Sequence, residues 1–281
     1  MKIYLIINRT KPEAFKLAQT AGTILAEEGA VVLLDELATR LKPAFPHTAL
    51  TEQDAFAQCD IALCIGGDGT MLHAARYAMW HNKPLIGINI GRLGFLTLIE
   101  SDELEKLRRL PRGEYTVEKR GVLQTGFEEN GEEIGLAWND VVLYKKPPDK
   151  MVAMDIYCDD VLVSSFRGDG VIFSTATGST AYSMSAGGPI LDAAIDGIIV
   201  TQICAHIVHM PPMVFSATRT IRVVPHIPKG GRIPVMCDGE KSGQLKTGQS
   251  LIIKKATHTV PLIQFADADQ LKSIDKKLKG R

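Results

Sequence analysis

The chain has 281 residues, 45% of them hydrophobic and 23% charged, with 32 Lys+Arg against 32 Asp+Glu. At about 100–200 residues per domain, that length suggests two domains, and the composition argues against wholesale disorder. A net charge of zero argues against a general nucleic-acid binder, which needs surplus cations to displace phosphate counterions.

The first residues, Met1–Asn8, are too short in apolar content for a secretory signal and lack a small-residue cleavage site. Ile3–Ile7 reads as a buried strand and Pro12 opens a helical pattern that Gly29 stops. Val31–Leu34 and Asp60–Ile65 read as further strands, followed by the turn Gly66-Gly67-Asp68-Gly69, a helix over Thr70–Trp80 and a strand over Pro84–Asn89. This β-α-β rhythm predicts a parallel sheet with helices on its faces. A charged helical stretch near Glu100–Arg112 marks the expected boundary.

Beyond it the pattern turns to strands: Tyr115–Phe127, Leu136–Lys145, Met151–Cys158, Val161–Phe166, Val171–Thr175, Ile198–Ile207, Thr220–Val224, Arg232–Cys237 and Ser250–Lys255. Asn130-Gly131 and Asp159-Asp160 supply turn chemistry. One short helix is expected near Thr180–Ala186, and the Lys-rich tail Leu271–Arg281 reads as a solvated helix end. The most apolar window, 197–215, is broken by Gln202, His206, His209 and Pro211-Pro212, so no membrane span is expected. Five cysteines (Cys59, Cys64, Cys158, Cys204, Cys237) form no CxxC and no even framework, which favours reduced, mostly buried thiols and a cytoplasmic location.

Three places could carry chemistry. In Gly66-Gly67-Asp68-Gly69-Thr70 the glycines permit a sharp turn and close approach to a ligand, and the following helix offers free N–H groups to phosphate. No GxxxxGK[ST] occurs, and Leu72 stands where a dinucleotide fingerprint needs its third glycine. An aspartate there would repel phosphate unless it abstracts a proton or helps hold Mg²⁺. Taken alone, the loop reads rather as a tight turn with an Asp cap on the helix. The second place is residues 168–188. Asp169 lies between glycines, and Thr175, Thr177, Ser179, Thr180, Ser183 and Ser185 crowd hydroxyls around Gly178, with Tyr182 available to stack on a flat ring. The third is Trp138-Asn139-Asp140-Val141-Val142 inside a strand, where Asn139 and Asp140 must face opposite ways; a bulge or an edge strand explains the pair equally well. His206-x-x-His209 reads as a core or loop pair rather than a metal site.

Together these features resemble the NAD kinases, whose marks are a GGDGT loop, a downstream Asn-Glu/Asp pair and a GDG…TxTGSTAYxxSxGG block. All three occur in order, and Asn89-Ile-Gly91-Arg-Leu-Gly94-Phe-Leu96 resembles a further loop of the family. The likeness spans about residues 1–265. It implies an α/β N-terminal domain (parallel sheet with flanking helices) over 1–105, carrying the GGDGT loop. A mainly-β, sandwich-like, NAD-binding C-terminal domain over 106–265 would follow, with the tail 266–281 packing back on the first domain. The activity implied is phosphoryl transfer from ATP or polyphosphate to the 2′-hydroxyl of the adenosine ribose of NAD, with a divalent cation, Mg²⁺, on the donor.

By the same resemblance Asp68 matches the general base, and Gly66, Gly67, Gly69 and Thr70 the donor loop. Asp68, Gly69, His73, Asn139, Asp140, Lys150, Arg167 and Asp169 match NAD-binding positions. So do Thr177, Thr180, Ala181, Tyr182, Ser183, Met184, Ser185 and Cys204; no residue is assigned as a metal ligand. A homodimer or homotetramer is implied, with no nucleic-acid or membrane partner. Two departures stand out: Pro211-Pro212 where the family usually has Arg-Pro, and Glu240 where Asp238-Gly239 is often followed by Gln. A lipid kinase of the diacylglycerol type shares the glycine loop, but a zero net charge and the lack of a basic amphipathic helix argue against it. Retention of Asp68 disfavours a non-catalytic dinucleotide sensor.

Overall fold

A computed structural model describes residues 1–40, 42–91, 94–145, 150–206 and 211–267. Arg92, Leu93, His209 and the Lys-rich tail lie outside the described residues. The chain forms two compact units, Met1–Lys119 joined by the segment from Thr259, and Arg120–His258.

The first unit runs β1 (Lys2–Ile7), α1 (Pro12–Glu27), β2 (Val31–Asp35), α2 (Glu36–Thr39), β3 (His47–Leu50), α3 (Glu52–Gln58), β4 (Ile61–Gly66), α4 (Asp68–His81) and β5 (Leu85–Asn89). The strands pair in parallel in the order β3-β2-β1-β4-β5, and the chain's last strand adds a parallel bridge through Leu262 to Leu85. β4 and β5 are buried at every position, as central parallel strands covered on both faces must be, so they read as unbroken apolar runs. α1 begins with Pro12, whose missing N–H costs nothing in a first turn, and lays Ala14, Ala18, Ala21 and Leu25 on the sheet. Each small alanine lets the helix approach closely, and Leu25, fully enclosed, would cost about 2–5 kcal/mol if cut to Ala. The expected helix near Glu100–Arg112 is a 3-10 segment, Leu104–Arg109, whose Leu107 completes this core.

The second unit takes up the rest: β6 (Thr116–Phe127, entering from the first unit), β7 (Glu133–Ala137), β8 (Asp140–Tyr144), β9 (Val152–Cys158), β10 (Val161–Gly168), β11 (Gly170–Ser174) and α5 (Tyr182–Ser185). Then follow β12 (Gly197–Ile203), β13 (Met213–Ser216), β14 (Ile221–His226), β15 (Arg232–Cys237), β16 (Glu240–Lys246) and β17 (Leu251–Gln264), which leaves for the first unit. β10, β9, β14 and β17 form one antiparallel layer; β13, β12, β11, β8, β15 and β16 form the other. Their inner faces share one core, with Met154, Ile156, Val223 and Ile253 on one side and Leu143, Phe173, Val200 and Val235 on the other. The alternating burial of β9 and β14 is the mark of a sheet with one face in that core. Asp159 and Asp160 both take positive φ, 45° and 67°, so they close the β9–β10 hairpin with the turn chemistry read from sequence.

The structure corrects the reading of Leu136–Lys145 as one strand: β7 ends at Ala137, Trp138 and Asn139 form a bend, and β8 begins at Asp140. The short helix expected over Thr180–Ala186 is two pieces, a 3-10 turn at Thr177–Thr180 and α5.

Candidate active site

α4 begins at Asp68 itself, two residues earlier than its sequence pattern suggests, with Gly67 as the extended residue before it. Gly66 has a packing reason to be glycine, since a Cβ there would lie 2.1 Å from Thr70 Oγ1. Gly67 and Gly69 have none, because a Cβ on either would meet nothing within 4 Å. Their bareness leaves the backbone at the helix start open to close approach. The Asp68 carboxylate is oriented from outside its own loop: Phe95 N–H donates to Oδ2 at 2.9 Å and Leu96 N–H to Oδ1 at 3.0 Å. Gly94 makes this possible, since a Cβ there would stand 2.5 Å from Asp68 Oδ1. The loop that resembled a family feature therefore serves to hold Asp68.

Beside this loop lies a cleft of about 600 Å³ lined by Gly67, Gly69, Thr70 and His73 together with Asn8, Arg9, Thr10 and Lys11. The sequence reading passed over the segment 8–11 because it carries no repeat or glycine signature. Asn8 Nδ2 donates to Thr70 Oγ1 at 3.2 Å, which ties the two walls together. Arg9 is half-exposed and pairs with the buried carboxylate of Asp35, the cap of α2. Lys11 Nζ donates to the carbonyl of Ile90 at 3.1 Å. His73 reaches Glu52 Oε1 at 3.1 Å and is half-exposed on the cleft.

In the second unit the bend at Trp138-Asn139 buries both Asn139 and Asp140. This corrects the expectation that adjacent strand residues face opposite ways: Asn139 is not in a strand. Among the described residues Asn139 Oδ1 and Trp138 Nε1 are enclosed without a hydrogen-bond partner, an arrangement costing about 1–3 kcal/mol per group. Burial, and then the neighbouring Asp238 carboxylate, push the Asp140 carboxyl up to about 7.

The hydroxyl-rich block divides into internal and outward groups. Thr175 Oγ1 donates to the Trp138 carbonyl at 2.6 Å, and Ser179 Oγ to the carbonyl of Ala176 at 2.6 Å while accepting from Leu191 N–H at 3.1 Å. Ser183 and Thr201 share a bond at 3.0 Å, and Thr180 Oγ1 turns back on Thr177. Most of these hydroxyls satisfy buried backbone and the Ser183–Thr201 pair satisfies itself, so their density alone is not a ligand signal. Gly178 lies so close to the bend that a Cβ would sit 2.1 Å from the Asn139 carbonyl oxygen. Tyr182 by contrast is 43% exposed. Burial of its inner part and the fields of Tyr144, Cys204, Asp140 and Asp169 raise its phenol above the ordinary range. Tyr144 is an addition to the sequence-predicted group. Cys204 is exposed, in a left-handed conformation, whereas the other four cysteines are buried and free. Asp169 has Lys145 at 3.5 Å. Arg167, Lys150 and Ser185 are exposed, and Ala181 and Met184 half-buried.

Residues 3–115 match the family model of the ATP-NAD kinase N-terminal domain and residues 138–265 that of the ATP-NAD kinase C-terminal domain. An NAD kinase of Prosthecochloris aestuarii is 35% identical over 266 residues, 94% of this chain and 92% of that one. One of Chlorobium phaeovibrioides is 34% identical over 280 residues, 99% of this chain and 98% of its own. The chain belongs to the NAD kinase family. Among solved structures, yeast NADH kinase complexed with NADH superposes with a TM-score of 0.87 at 22% identity, covering 99% of this chain and 87% of that one. An NAD kinase from Archaeoglobus fulgidus in complex with ATP gives 0.74 at 22% identity, covering 100% of both. At that identity they speak for the shared fold, an α/β unit followed by a mainly-β one.

As an NAD kinase this chain is a phosphotransferase with ATP and NAD as substrates. Among the described residues no helix is long and apolar enough to cross a membrane, and no group of three His, Cys, Asp or Glu is gathered as a metal site. Of the two departures from the family pattern, Pro211 and Glu240 are both exposed.

Proposed function

We propose that Asp68 is the general base of this NAD kinase, taking the proton of the adenosine ribose 2′-hydroxyl as that oxygen bonds to the transferred phosphorus. The observation that carries this is the carboxylate fixed by Phe95 and Leu96 N–H groups beside two glycines with nothing over them. A hydroxyl is a weak nucleophile, and a positioned carboxylate adds about 10²–10⁴ in rate. The two N–H bonds occupy one lone pair on each oxygen and fix its direction, leaving another to accept the proton. As the P–O bond to the ribose forms, the bond to the leaving phosphate of the donor breaks.

The cleft beside the loop is the place for the donor's phosphates: bare N–H groups of an α-helix start and Lys11 suit anions, while the cleft's two carboxylates are paired, Asp35 with Arg9 and Glu52 with His73. A divalent cation would be carried mainly by those phosphates, with Asp68 the loop's one carboxylate able to share it; it would neutralise charge on the transferred group. Asn139, Asp140, Tyr182 and Asp169 are the NAD side of the assignment. It is supported by the orphaned Asn139 acceptor and by the grouping of Tyr182 with Asp140, Asp169 and Cys204. His73, Lys150, Arg167 and the stretch Thr177–Ser185 complete it on resemblance. A cytoplasmic homodimer or homotetramer is the assembly proposed. Purified protein with Mg²⁺, NAD or NADH, and ATP or polyphosphate should yield 2′-phosphorylated dinucleotide. No such product with any pairing would reject the reading.

A further inference from the structure

Asp238 lies about a hundred residues from Asn139 in sequence and has no part in the mechanism above. It sits in the two-residue turn between β15 and β16, where it and Gly239 take φ of 49° and 79°. Its carboxylate faces the bend: Oδ2 accepts from Trp138 N–H at 2.8 Å, and Oδ1 from Asn139 N–H at 2.8 Å and Asp140 N–H at 3.1 Å. Asp238 N–H in turn donates to the Asp140 carbonyl at 3.0 Å. Three successive backbone donors converging on one carboxylate is what a strand cannot offer, since alternate N–H groups of a strand point opposite ways. The carboxylate and the bend therefore define each other.

We propose that Asp238 is a positioning residue for NAD: it holds the 138–140 backbone in the bend that buries Asn139 and Asp140 together. The proposal rests on the reading of that pair as NAD ligands. Without Asp238 the three N–H groups of the bend lose their shared acceptor, and the Thr175 contacts to the Trp138 and Asn139 carbonyls are left to hold it, so Asn139 and Asp140 are no longer fixed together. The clamp also acts on charge. Among the described residues, the titratable groups coupled to Asp140 are Asp238 from the β15–β16 turn and Tyr182 at the start of α5, which Asp169 and Cys204 influence in turn. Burial is the larger cause of the raised Asp140 pKa and the Asp238 charge the second. An ionised Asp140 accepts from the ribose hydroxyls or amino group of a nucleoside, so NAD binding strengthens as pH rises through about 7. Removing the Asp238 charge lowers that midpoint, while burial keeps it above the ordinary carboxylate value.

Asp238→Asn is the informative change, because Asn accepts positive φ as Asp does and retains one acceptor oxygen. NAD affinity by calorimetry, and kcat and KM for NAD and ATP, would be measured from pH 5.5 to 8.5. The set is wild type, Asp238→Asn, Asn139→Ala, the double variant and Gly239→Ala, which damages the turn and leaves the carboxylate. The expected result for Asp238→Asn is NAD binding weakened about tenfold, with KM for ATP changed less than about twofold. The acid limb should move to lower pH by roughly one unit, and Asn139→Ala combined with Asp238→Asn should add little to either alone. Gly239→Ala should lower Tm and leave NAD affinity intact. Wild-type NAD affinity in folded Asp238→Asn, an unmoved acid limb, or an equal loss in Gly239→Ala overturns the positioning role. Asn139→Ala with unchanged affinity instead overturns the NAD assignment itself, and the proposal with it. Should Asp238→Asn fail to fold, Asp238→Glu keeps the charge and displaces the acceptors. It should lose NAD affinity while retaining the limb near 7, and retained affinity overturns the proposal.

Discussion

Gly67-Asp68-Gly69 and Gly168-Asp169-Gly170 are the same tripeptide in two units, and the glycines are there for opposite reasons. At the first, a side chain would meet nothing within 4 Å on either glycine. At the second, a Cβ on Gly170 would lie 2.2 Å from the Leu143 carbonyl oxygen, and one on Gly168 2.8 Å from that of Ile203. Those carbonyls belong to β8 and β12, the neighbours of β11, so the second pair is demanded by strand packing. A glycine with free space around it and ordinary φ has no structural need to be glycine, and close approach by something outside the chain is the remaining reason. The contrast separates a loop kept bare from a loop kept thin, which the letters GDG cannot do.

Substituting the two aspartates and their glycines should sharpen that contrast. The largest effect is expected at Asp68→Asn: kcat falls by roughly 10²–10⁴ with little change in either KM, because the variant keeps shape and loses the base. Steady-state kinetics on folded protein check this, and a wild-type kcat removes Asp68 from the chemistry. Next is Gly170→Ala, which pushes against a strand backbone that cannot yield. About 3 kcal/mol of stability should go, a Tm drop of roughly 6–12 °C by calorimetry, with activity per folded molecule retained. Gly69→Ala should act the other way round. Alanine is worth about 1 kcal/mol over glycine inside a helix, so Tm should hold or rise, while KM for ATP rises roughly tenfold. If Gly69→Ala leaves donor binding untouched, the bare loop is no donor cradle and the contrast loses its functional half.

How much of this was legible in the sequence follows the same division. Buried parallel strands such as β4 and β5 announce themselves as apolar runs, and Pro12 and Gly29 mark the ends of α1. The strands that escaped lie at sheet edges: β3, His-Thr-Ala-Leu, is mostly exposed, β16 carries Lys, Ser, Gly and Gln, and β13, Met-Val-Phe-Ser, is apolar but only four residues long. α3 had a readable start, since Thr51 caps it by accepting from Asp54 N–H at 3.1 Å, but its seven residues show too little periodicity. In the candidate site, the glycines around Asp68 alone read as a capped turn, and only the resemblance singled Asp68 out. Two things were not legible at all. The N–H groups orienting Asp68 come from residues 95 and 96, and the bend at Trp138-Asn139 is set by Asp238, so both depend on partners distant in the chain. The hydroxyl-rich block is ambiguous in a physical way. Ser and Thr satisfy buried carbonyls as readily as they meet ligands, and only coordinates tell which hydroxyls are already engaged.

Tyr182 is the smallest and most discriminating test of the second unit. It stands at the exposed edge of a block whose hydroxyls largely turn inward, and its ring is 43% accessible beside Asp140, Asp169 and Cys204. A buried tyrosine removed from a core would cost several kcal/mol of stability; this one, already half in water, should cost little. Its ring suits a flat base, and stacking contributes about 0.5–1.5 kcal/mol beyond lost contact area. Tyr182→Ala should therefore leave Tm within a few degrees and weaken NAD binding by roughly threefold to tenfold, with the affinity for a non-hydrolysable ATP analogue unchanged. Separate titrations of NAD and the analogue on wild type and variant decide it. If analogue binding collapses while NAD binding stays, the two ligands are assigned to the wrong units. If Tm falls steeply and neither affinity moves, Tyr182 supports the fold, and Asn139, Asp140 and Asp169 carry the NAD assignment of the second unit without it.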